Sequence, residues 1–178
     1  MNSEKRSKAR ISVFEMCVYA MLATLMLLSK LLMEALPNVH LLGTLTMVYT
    51  LVLGRRALIP LYLYVFLNGV IAGFNLWWMP YLYIWTLLFL ATRLLPSSMS
   101  RRAKAIVYPL VCALHGFLFG ILYAPAEALL FGLDFPGMLA WIAAGLPFDL
   151  IHGIGNFVMG MLVLPLSEAF ARLWRARR

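Results

Sequence analysis

A run of 36 residues from Ala57 to Thr92 contains no aspartate, glutamate, lysine or arginine. A helix needs about 17 to 25 apolar residues to cross a bilayer, so this run has room for roughly two crossings. Of all 178 residues, 63% are hydrophobic and only 12% are charged, and soluble domains carry about twice that share of charge. Because a water-soluble fold cannot bury so much apolar surface, the sequence predicts an all-α, polytopic membrane protein.

Charged residues, prolines and glycines divide the chain into six predicted helices. The helices cover about residues 11–36, 40–53, 57–72, 77–95, 104–131 and 138–171. The connections between them are too short for a soluble domain. We therefore expect a single transmembrane domain over residues 1–178, with short basic tails at about 1–10 and 172–178.

The basic residues alternate between the two sides of this predicted topology. Short cytoplasmic loops of membrane proteins are enriched in lysine and arginine. If the N-terminus is cytoplasmic, 14 of the 15 Lys and Arg residues fall in the inner segments, and Lys30 in the first helix is the exception. The pattern thus predicts six transmembrane helices with cytoplasmic N- and C-termini.

The stretch "GFNLWWMPYLYIW" at residues 73–85 contains three tryptophans and two tyrosines. These residues favour the membrane interface, where the ring is apolar and its N–H or O–H stays hydrated. Trp78, Tyr81 and Trp85 also follow an i, i+3, i+7 spacing, which places them on one helix face that descends into the membrane. The stretch therefore indicates an interfacial belt, and its descending face can also line a pocket for a flat ring.

Polar side chains occur at membrane depth in the last two predicted helices. Asp149, His152 and Asn156 share one helix face, and His115 lies at a similar depth in the preceding helix. An ionisable group costs roughly 2.5 to 3.5 kcal/mol at a helix centre, so such groups normally face the protein interior and often serve function. Four interpretations stay open: a structural Asp–His network, a proton relay, a metal site and the floor of a substrate pocket.

Further polar residues lie toward the predicted outer surface. The first outer connection, "LPNVH", contains Asn38 and His40 and suits a lid over a pocket. Lys30 and Glu34 are one turn apart, which predicts an i, i+4 ion pair. Glu127 is a further candidate for the lid, although helical spacing turns it away from His115.

Four blocks of the sequence resemble the S component, the substrate-binding membrane subunit, of energy-coupling factor (ECF) transporters. The blocks are "MEALPNVHLLG", "RRALIPLYLYVFLNGVIAGFNLWWMPYLYIW", "LHGFLFGILYAPAEALLFGLDF" and "WIAAGLPFDLIHGIGNFVMGMLVLPL", which lie within residues 33–166. The resemblance implies a multi-pass protein of the bacterial plasma membrane that captures a vitamin or related micronutrient with high affinity. It would dock on a transmembrane T component that carries two ABC ATPase subunits.

The resemblance also implies a role for each candidate site residue. The substrate would lie among a lid, a wall of stacking rings and a polar floor. The lid is Asn38 and His40; the wall is Trp78, Tyr81 and Trp85; the floor is His115, Asp149, His152 and Asn156. S components commonly dock through an Ala-x-x-x-Ala pattern on the first helix, which here contains Ala20 and Thr24.

No cofactor, metal or catalytic residue is expected in an S component, because its partners hydrolyse ATP. The chain has no G-x-x-x-x-G-K-[ST] phosphate-binding loop. Two other functions stay open on the residues alone. One is a small intramembrane, metal-dependent enzyme that uses His115, Asp149 and His152. The other is a stand-alone, proton-coupled carrier with Asp149 as the proton relay.

Overall fold

Eight α-helices form most of the chain in the computed structural model, which describes residues 11–36 and 38–176. They are α1 (Val13–Leu32), α2 (Leu42–Leu53), α3 (Leu58–Ala72), α4 (Tyr81–Leu94), α5 (Arg101–Phe117), α6 (Phe119–Phe131), α7 (Phe135–Gly160) and α8 (Val163–Ala176). Short 3₁₀ turns cover Gly54–Ala57 and Leu76–Trp78. No strand occurs in the described ranges, so the all-α prediction is confirmed there. The basic residues predicted for the tails at positions 5, 6, 8, 10, 177 and 178 lie outside the described residues.

Four stretches of the described chain are long and apolar enough to cross a membrane. They are Val13–Leu32, Leu42–Ala72, Arg101–Phe131 and Phe135–Gly160. The second contains both α2 and α3, which the sequence divides into two crossings, and α4 has only 14 residues. The number of six crossings therefore stays a prediction.

Side-chain caps fix where several helices begin. Ser12 and Glu15 form a capping box at α1, in which Ser12 Oγ accepts from the Glu15 N–H at 3.1 Å and Glu15 Oε2 accepts from the Ser12 N–H at 3.0 Å. This geometry matches the S-x-x-E pattern of the sequence. Because α1 ends at Leu32, Glu34 lies beyond the helix, and none of the salt bridges within residues 11–36 and 38–176 joins it to Lys30. The predicted Lys30–Glu34 ion pair is therefore wrong.

Glycines allow α5 and α7 to pack with their backbones in close contact. A Cβ atom on Gly116 would lie 2.8 Å from the His152 carbonyl oxygen and 2.9 Å from the Gly153 Cα. A Cβ atom on Gly160 would lie 2.9 Å from the Pro109 Cα. Small residues are common where membrane helices approach closely. Around this pair, α6 packs on α7, α1 on α3, and α2 on both α4 and α8.

The outer surface of the bundle is apolar. Leu25, Phe66, Leu90, Leu110 and Ile154 lie on five different helices, and each is between 48% and 55% exposed. The buried core contains Trp85, Tyr64, Met26, Leu42 and Met47. A surface with so many exposed hydrophobic side chains is suited to contact with lipid.

Two ion pairs connect segments that the charge pattern predicts to be on one side of the membrane. Arg56 Nη1 lies 2.6 Å from Glu15 Oε1 and ties the Gly54–Ala57 turn to the start of α1. Arg101 contacts Glu168 through two hydrogen bonds of 3.0 and 3.3 Å and ties the start of α5 to α8. We call the part of the molecule that contains these helix ends the basic end.

Candidate substrate-binding site

A cavity of about 360 Å³ lies mainly between α6 and α7, and we call it the aromatic cavity. Its lining residues are Asn38, Trp77, Phe119, Gly120, Tyr123, Glu127, Phe131, Trp141, Gly145, Phe148, Asp149 and His152. Small-molecule sites typically have volumes of about 300 to 1,000 Å³ and mostly apolar walls with a few polar groups. The aromatic cavity fits that description in both size and lining.

Aromatic rings form much of its wall. The rings of Tyr123 and Trp141 are stacked, with centroids 5.7 Å apart and an interplanar angle of 12°. The Tyr123 hydroxyl donates to the Trp77 carbonyl oxygen at 2.6 Å, so its polar group already has a partner. The ring of Phe119 lies 6.1 Å from that of Tyr123. Such a wall suits contact with the faces of a flat ligand.

The carboxylate of Asp149 binds the first turn of α6. Helix α5 ends at Phe117 and α6 begins at Phe119, and the Gly120 N–H donates to Asp149 Oδ1 at 3.0 Å and to Oδ2 at 3.1 Å. A negative charge is favourable at a helix N-terminus, where backbone N–H groups lack helical partners. A Cβ atom on residue 120 would overlap Asp149 Oδ2, so glycine is needed for this contact.

The structure therefore gives Asp149 a different partner from the one that the network interpretation expected. That interpretation had the aspartate accepting a hydrogen bond from a histidine, whereas the hydrogen bonds of its carboxylate come from the Gly120 backbone. Asp149 still lines the aromatic cavity together with Glu127. Two carboxyl groups in the lining favour a ligand with hydrogen-bond donors or positive charge.

All three histidines of the sequence lie in one group beside the cavity. We call this group the histidine cluster; its members are His40, Trp85, His115, Phe119 and His152. The ring centroids of His40 and His152 are 5.0 Å apart, those of Trp85 and His115 are 5.6 Å apart, and those of Phe119 and His152 are 4.8 Å apart. Phe119 and His152 also line the aromatic cavity, so the two regions are continuous.

Four ring nitrogens of the histidine cluster are buried and have no hydrogen-bond partner in the described part of the chain. They are His40 Nδ1, Trp85 Nε1, His115 Nδ1 and His152 Nε2. Buried polar groups nearly always have a partner in folded proteins, and an exception calls for an explanation such as a bound ligand or water. Four such atoms in one cluster make it a candidate for polar contact with a ligand.

The hydrogen bond of His115 defines which of its nitrogens can accept. His115 Nε2 lies 3.2 Å from the Ile84 carbonyl oxygen, and because a carbonyl oxygen only accepts, Nε2 is the donor. In a neutral imidazole the other nitrogen, Nδ1, is then an acceptor. Trp85 Nε1 is a donor only. The cluster thus offers both a donor and an acceptor.

His40 lies in the connection between α1 and α2, outside the four candidate spans. Burial lowers the pKa of His40 from 6.5 to about 4, and the nearby charges of His115 and Lys30 act in the same direction. The ring is therefore neutral at physiological pH. Within the described residues, no group of three or more His, Cys, Asp or Glu side chains is arranged to hold a metal ion.

The structure brings most of the sequence-predicted site residues together. Asn38, Asp149 and His152 line the aromatic cavity. Asn38 has a φ of 57°, a left-handed conformation that asparagine tolerates better than most residues. Tyr81 contacts Trp77 and Trp85, with ring centroids 5.7 and 5.9 Å apart.

Asn156 lies about one turn along α7 from His152 and is buried. Its Nδ2 donates to the Cys112 carbonyl oxygen at 3.3 Å, whereas its Oδ1 has no partner among the described residues. Asn156 thus connects α7 to α5 beside the histidine cluster.

Trp78 lies apart from both regions. Its Nε1 donates to the Val65 carbonyl oxygen at 2.8 Å, and its ring packs against Phe74 with centroids 5.0 Å apart. The neighbouring Trp77 lines the aromatic cavity in its place. The structure therefore does not bring Trp78 to the predicted wall.

The sequence analysis did not select the six aromatic rings of phenylalanine, tyrosine and tryptophan that line the cavity. They are Trp77, Phe119, Tyr123, Phe131, Trp141 and Phe148. Two periodic patterns in the sequence indicate part of this lining. Residues 119, 123 and 127 follow i, i+4, i+8 spacing, and residues 141, 145, 149 and 152 follow i, i+4, i+8, i+11 spacing. Each pattern marks one face of a helix.

The predicted docking notch lies on the outward face of α1. Ala20 and Thr24 are exposed, whereas Tyr19, Ala23 and Met26 are buried. The Thr24 hydroxyl donates to the Ala20 carbonyl oxygen at 2.9 Å, so it needs no partner from another protein. The notch is small and apolar, with its hydrogen-bonding groups satisfied locally.

Comparison with known proteins gives no relative for this chain. No protein-family model matches it, and no curated protein or solved structure matches it. The interpretation of the site therefore rests on the chemistry of its own residues.

Proposed function

We propose that this chain is the substrate-capturing subunit of an ECF-type ABC transporter and binds a vitamin or related micronutrient in the aromatic cavity. The observation that carries the proposal is a small-molecule-sized, aromatic-walled cavity that adjoins four buried ring nitrogens, none of which has a hydrogen-bond partner among the described residues. Such a combination provides both stacking surface and polar contacts for a flat, polar organic molecule. Capture needs only these binding groups, so ATP hydrolysis is assigned to the partner subunits.

The lining suggests which kind of ligand is bound. Tyr123, Trp141 and Trp77 would contact the faces of a planar ring. Asp149 and Glu127 would accept hydrogen bonds from donors on that ring or balance a positive charge. His152 joins the cavity to the histidine cluster, where donor and acceptor nitrogens would fix the orientation of the ligand.

The proposed topology has six transmembrane helices, with both termini in the cytoplasm of a bacterial cell. The aromatic cavity is lined by Asn38, Trp77 and Phe131, which lie in or beside the connections predicted to be outside. Those connections contain no lysine or arginine. A cavity on that side is accessible to a nutrient that arrives from outside the cell.

The decisive experiment measures the small molecule that stays bound to the purified protein. The chain is purified in mild detergent from bacteria grown in rich medium, and the organic extract is quantified by mass spectrometry. We expect one planar, vitamin-like compound at about one molecule per chain, and Trp141→Ala to retain at least about tenfold less, since it removes one of the stacked rings. Phe157→Ala, on the outer surface of α7, is the matched aromatic control and is expected to retain the wild-type amount.

The same preparation separates the other two functions. An enzyme would convert the retained compound on incubation and would lose that conversion in Asp149→Asn. A proton-coupled carrier would transport it into proteoliposomes that contain no other protein. Wild-type chain without any retained compound, or equal retention in Trp141→Ala and Phe157→Ala, would contradict the capture role.

The proposed partners are a transmembrane T component and two ABC ATPase subunits. Docking is assigned to the α1 notch, because Ala20 and Thr24 leave a shallow exposed surface between larger side chains such as Met21. We expect Ala20→Trp to abolish co-purification with a co-expressed T component and to leave the retained compound unchanged. A complex that survives this substitution would assign docking to another face.

A further inference from the structure

A second cavity, of about 640 Å³, opens at the basic end of the molecule. It lies among the ends of α2, α4, α5 and α8, and we call it the basic cavity. Its charged lining residues are Arg93, Arg101, Lys104, Arg172, Arg175 and Glu168. Five cations and one carboxylate thus surround one concave surface.

Only one of these cations is paired with the carboxylate. Arg101 contacts Glu168 through both carboxylate oxygens, at 3.0 and 3.3 Å. For Arg93, Lys104, Arg172 and Arg175, the described residues provide no salt bridge. The basic cavity therefore carries a net excess of four positive charges from its lining side chains.

The neutral polar side chains of the lining contribute few hydrogen-bond donors to a ligand. Thr92 Oγ1 donates to the Leu88 carbonyl oxygen at 2.8 Å, and Ser167 Oγ donates to the Leu164 carbonyl oxygen at 2.9 Å. The donors available to a ligand are thus mainly guanidinium and ammonium groups. Arginine forks match the oxygens of a phosphate, and lysine binds phosphate as a point charge.

Membrane orientation alone does not account for this arrangement. The positive-inside rule requires basic residues near the cytoplasmic ends of helices, but it does not require those residues to line one cavity. Arg93 comes from α4, Lys104 from α5 and Arg175 from α8, yet all line the same cavity. Arg55 and Arg102 are also at the basic end, but they are exposed and lie outside the lining. These two residues provide a control within the same chain.

Apolar residues lie directly beside the basic ones. Leu94 follows Arg93 and is 83% exposed, and Leu173 follows Arg172 and is 72% exposed. Basic pockets between membrane helices on the cytoplasmic side are known to bind anionic lipid head groups. An exposed leucine next to a basic side chain provides contacts for both the acyl and the phosphate parts of a lipid.

We propose that the basic cavity is a binding site for a phosphate group, carried either by the head group of an anionic phospholipid or by a soluble phosphate compound. The site is separate from the aromatic cavity and does not depend on the function proposed for it. Arg93, Lys104 and Arg175 supply positive charge that no described carboxylate pairs with, and Arg101 is held in place by Glu168.

The test uses the full chain in mild detergent and two probes. Phosphatidylglycerol is titrated against zwitterionic phosphatidylcholine by native mass spectrometry, and inorganic phosphate is titrated by its effect on the thermal unfolding midpoint. The cavity variant is Arg93→Gln with Lys104→Gln, and the control is Arg55→Gln with Arg102→Gln, which removes the same charge from outside the cavity. Since each basic residue near a membrane surface is worth about fivefold in affinity, we expect the cavity variant to lose roughly 30-fold and the control to change little.

The two probes identify the source of the phosphate. Selective binding of phosphatidylglycerol that the cavity variant loses and the control keeps assigns the site to a lipid head group. The same pattern with inorganic phosphate assigns it to a soluble compound. Arg93→Gln alone, at an exposed position, provides a variant with little risk to folding, and about a fivefold loss is expected. The proposal is overturned if neither probe is selective, or if the control variant loses as much affinity as the cavity variant.

Discussion

The aromatic cavity and the basic cavity lie at different positions along the chain segment that contains α5 and α6, and they have opposite chemistry. Lys104 of the basic cavity lies near the start of α5, and Tyr123 of the aromatic cavity lies in α6, 19 positions further along the chain. The aromatic cavity has stacked rings and two carboxyl groups, whereas the basic cavity has five cations. For this reason we propose different ligands for them, a flat organic molecule for the aromatic cavity and a phosphate group for the basic cavity.

The two cavities also differ in how their side chains are held. In the aromatic cavity, Asp149 is fixed by the Gly120 backbone and Tyr123 by the Trp77 carbonyl group. In the basic cavity, one exposed pair, Arg101–Glu168, is the only ion pair among the described lining residues. Exposed ion pairs contribute little to stability. Substitutions in the aromatic cavity are therefore expected to have larger effects on folding than those in the basic cavity.

The largest effect is expected from Gly120→Ala. The new methyl group would displace the Asp149 carboxylate and weaken its hydrogen bonds to the start of α6. We expect a loss of roughly 2 to 4 kcal/mol in folding stability from overpacking and the lost hydrogen bonds, measured by unfolding in detergent. Gly145→Ala is the matched control, because a Cβ atom there has no neighbour within 4 Å, and it is expected to change stability by less than about 1 kcal/mol. Equal effects of the two substitutions would mean that the position of the Asp149 carboxylate does not require a glycine at residue 120.

Substitutions of two adjacent tryptophans distinguish the cavity wall seen in the structure from the wall that the sequence predicts. Trp77 lines the aromatic cavity, whereas Trp78 packs on Phe74 and binds the α3 backbone at Val65. We expect Trp77→Ala to reduce the retained compound by about tenfold, because it removes part of the ring wall. Trp78→Ala is expected to lower the thermal unfolding midpoint and to leave retention in the folded fraction close to wild type. If Trp78→Ala reduces retention and Trp77→Ala does not, Trp78 would be assigned to the substrate wall.

A pH effect of intermediate size is expected at His40. Its pKa is lowered from 6.5 to about 4, so the unfolded chain binds the proton more readily than the folded one. Stability from this group is full above pH 6.5 and falls as the pH drops toward 4, by at most roughly 3 kcal/mol. We expect the thermal midpoint of wild type to fall more steeply than that of His40→Gln across this range. Parallel profiles would show that His40 is accessible to protons in the folded state.

The smallest effect is expected from Glu168→Gln at the basic cavity. It weakens an exposed ion pair, so stability is expected to change by less than about 1 kcal/mol. The same substitution removes the carboxylate that the described lining of the basic cavity contains, so binding of phosphatidylglycerol is expected to become tighter. Native mass spectrometry measures both the affinity and its dependence on salt. Weaker binding in this variant would show that Glu168 positions Arg101 for the ligand.

The sequence alone determined the features that depend on local patterns. The uncharged run from Ala57 to Thr92 predicted membrane-spanning helices, and the S-x-x-E pattern at Ser12 matches the observed start of α1. The depth of His115, His152 and Asn156 also follows from their positions within apolar helices. These properties are local because periodicity and capping involve residues within a few positions of one another.

Only the tertiary structure decided which helix faces meet. The predicted helix over residues 104–131 is interrupted at Leu118, where the Gly120 N–H binds Asp149 of a different helix. His40 joins His115 and His152 from distant parts of the sequence, and Trp77 lines the cavity that Trp78 was predicted to line. Helical spacing fixes which residues share a face, but the contacts between backbones at glycines such as Gly116 decide what that face packs against. That choice depends on the whole bundle and is therefore not encoded in any single segment.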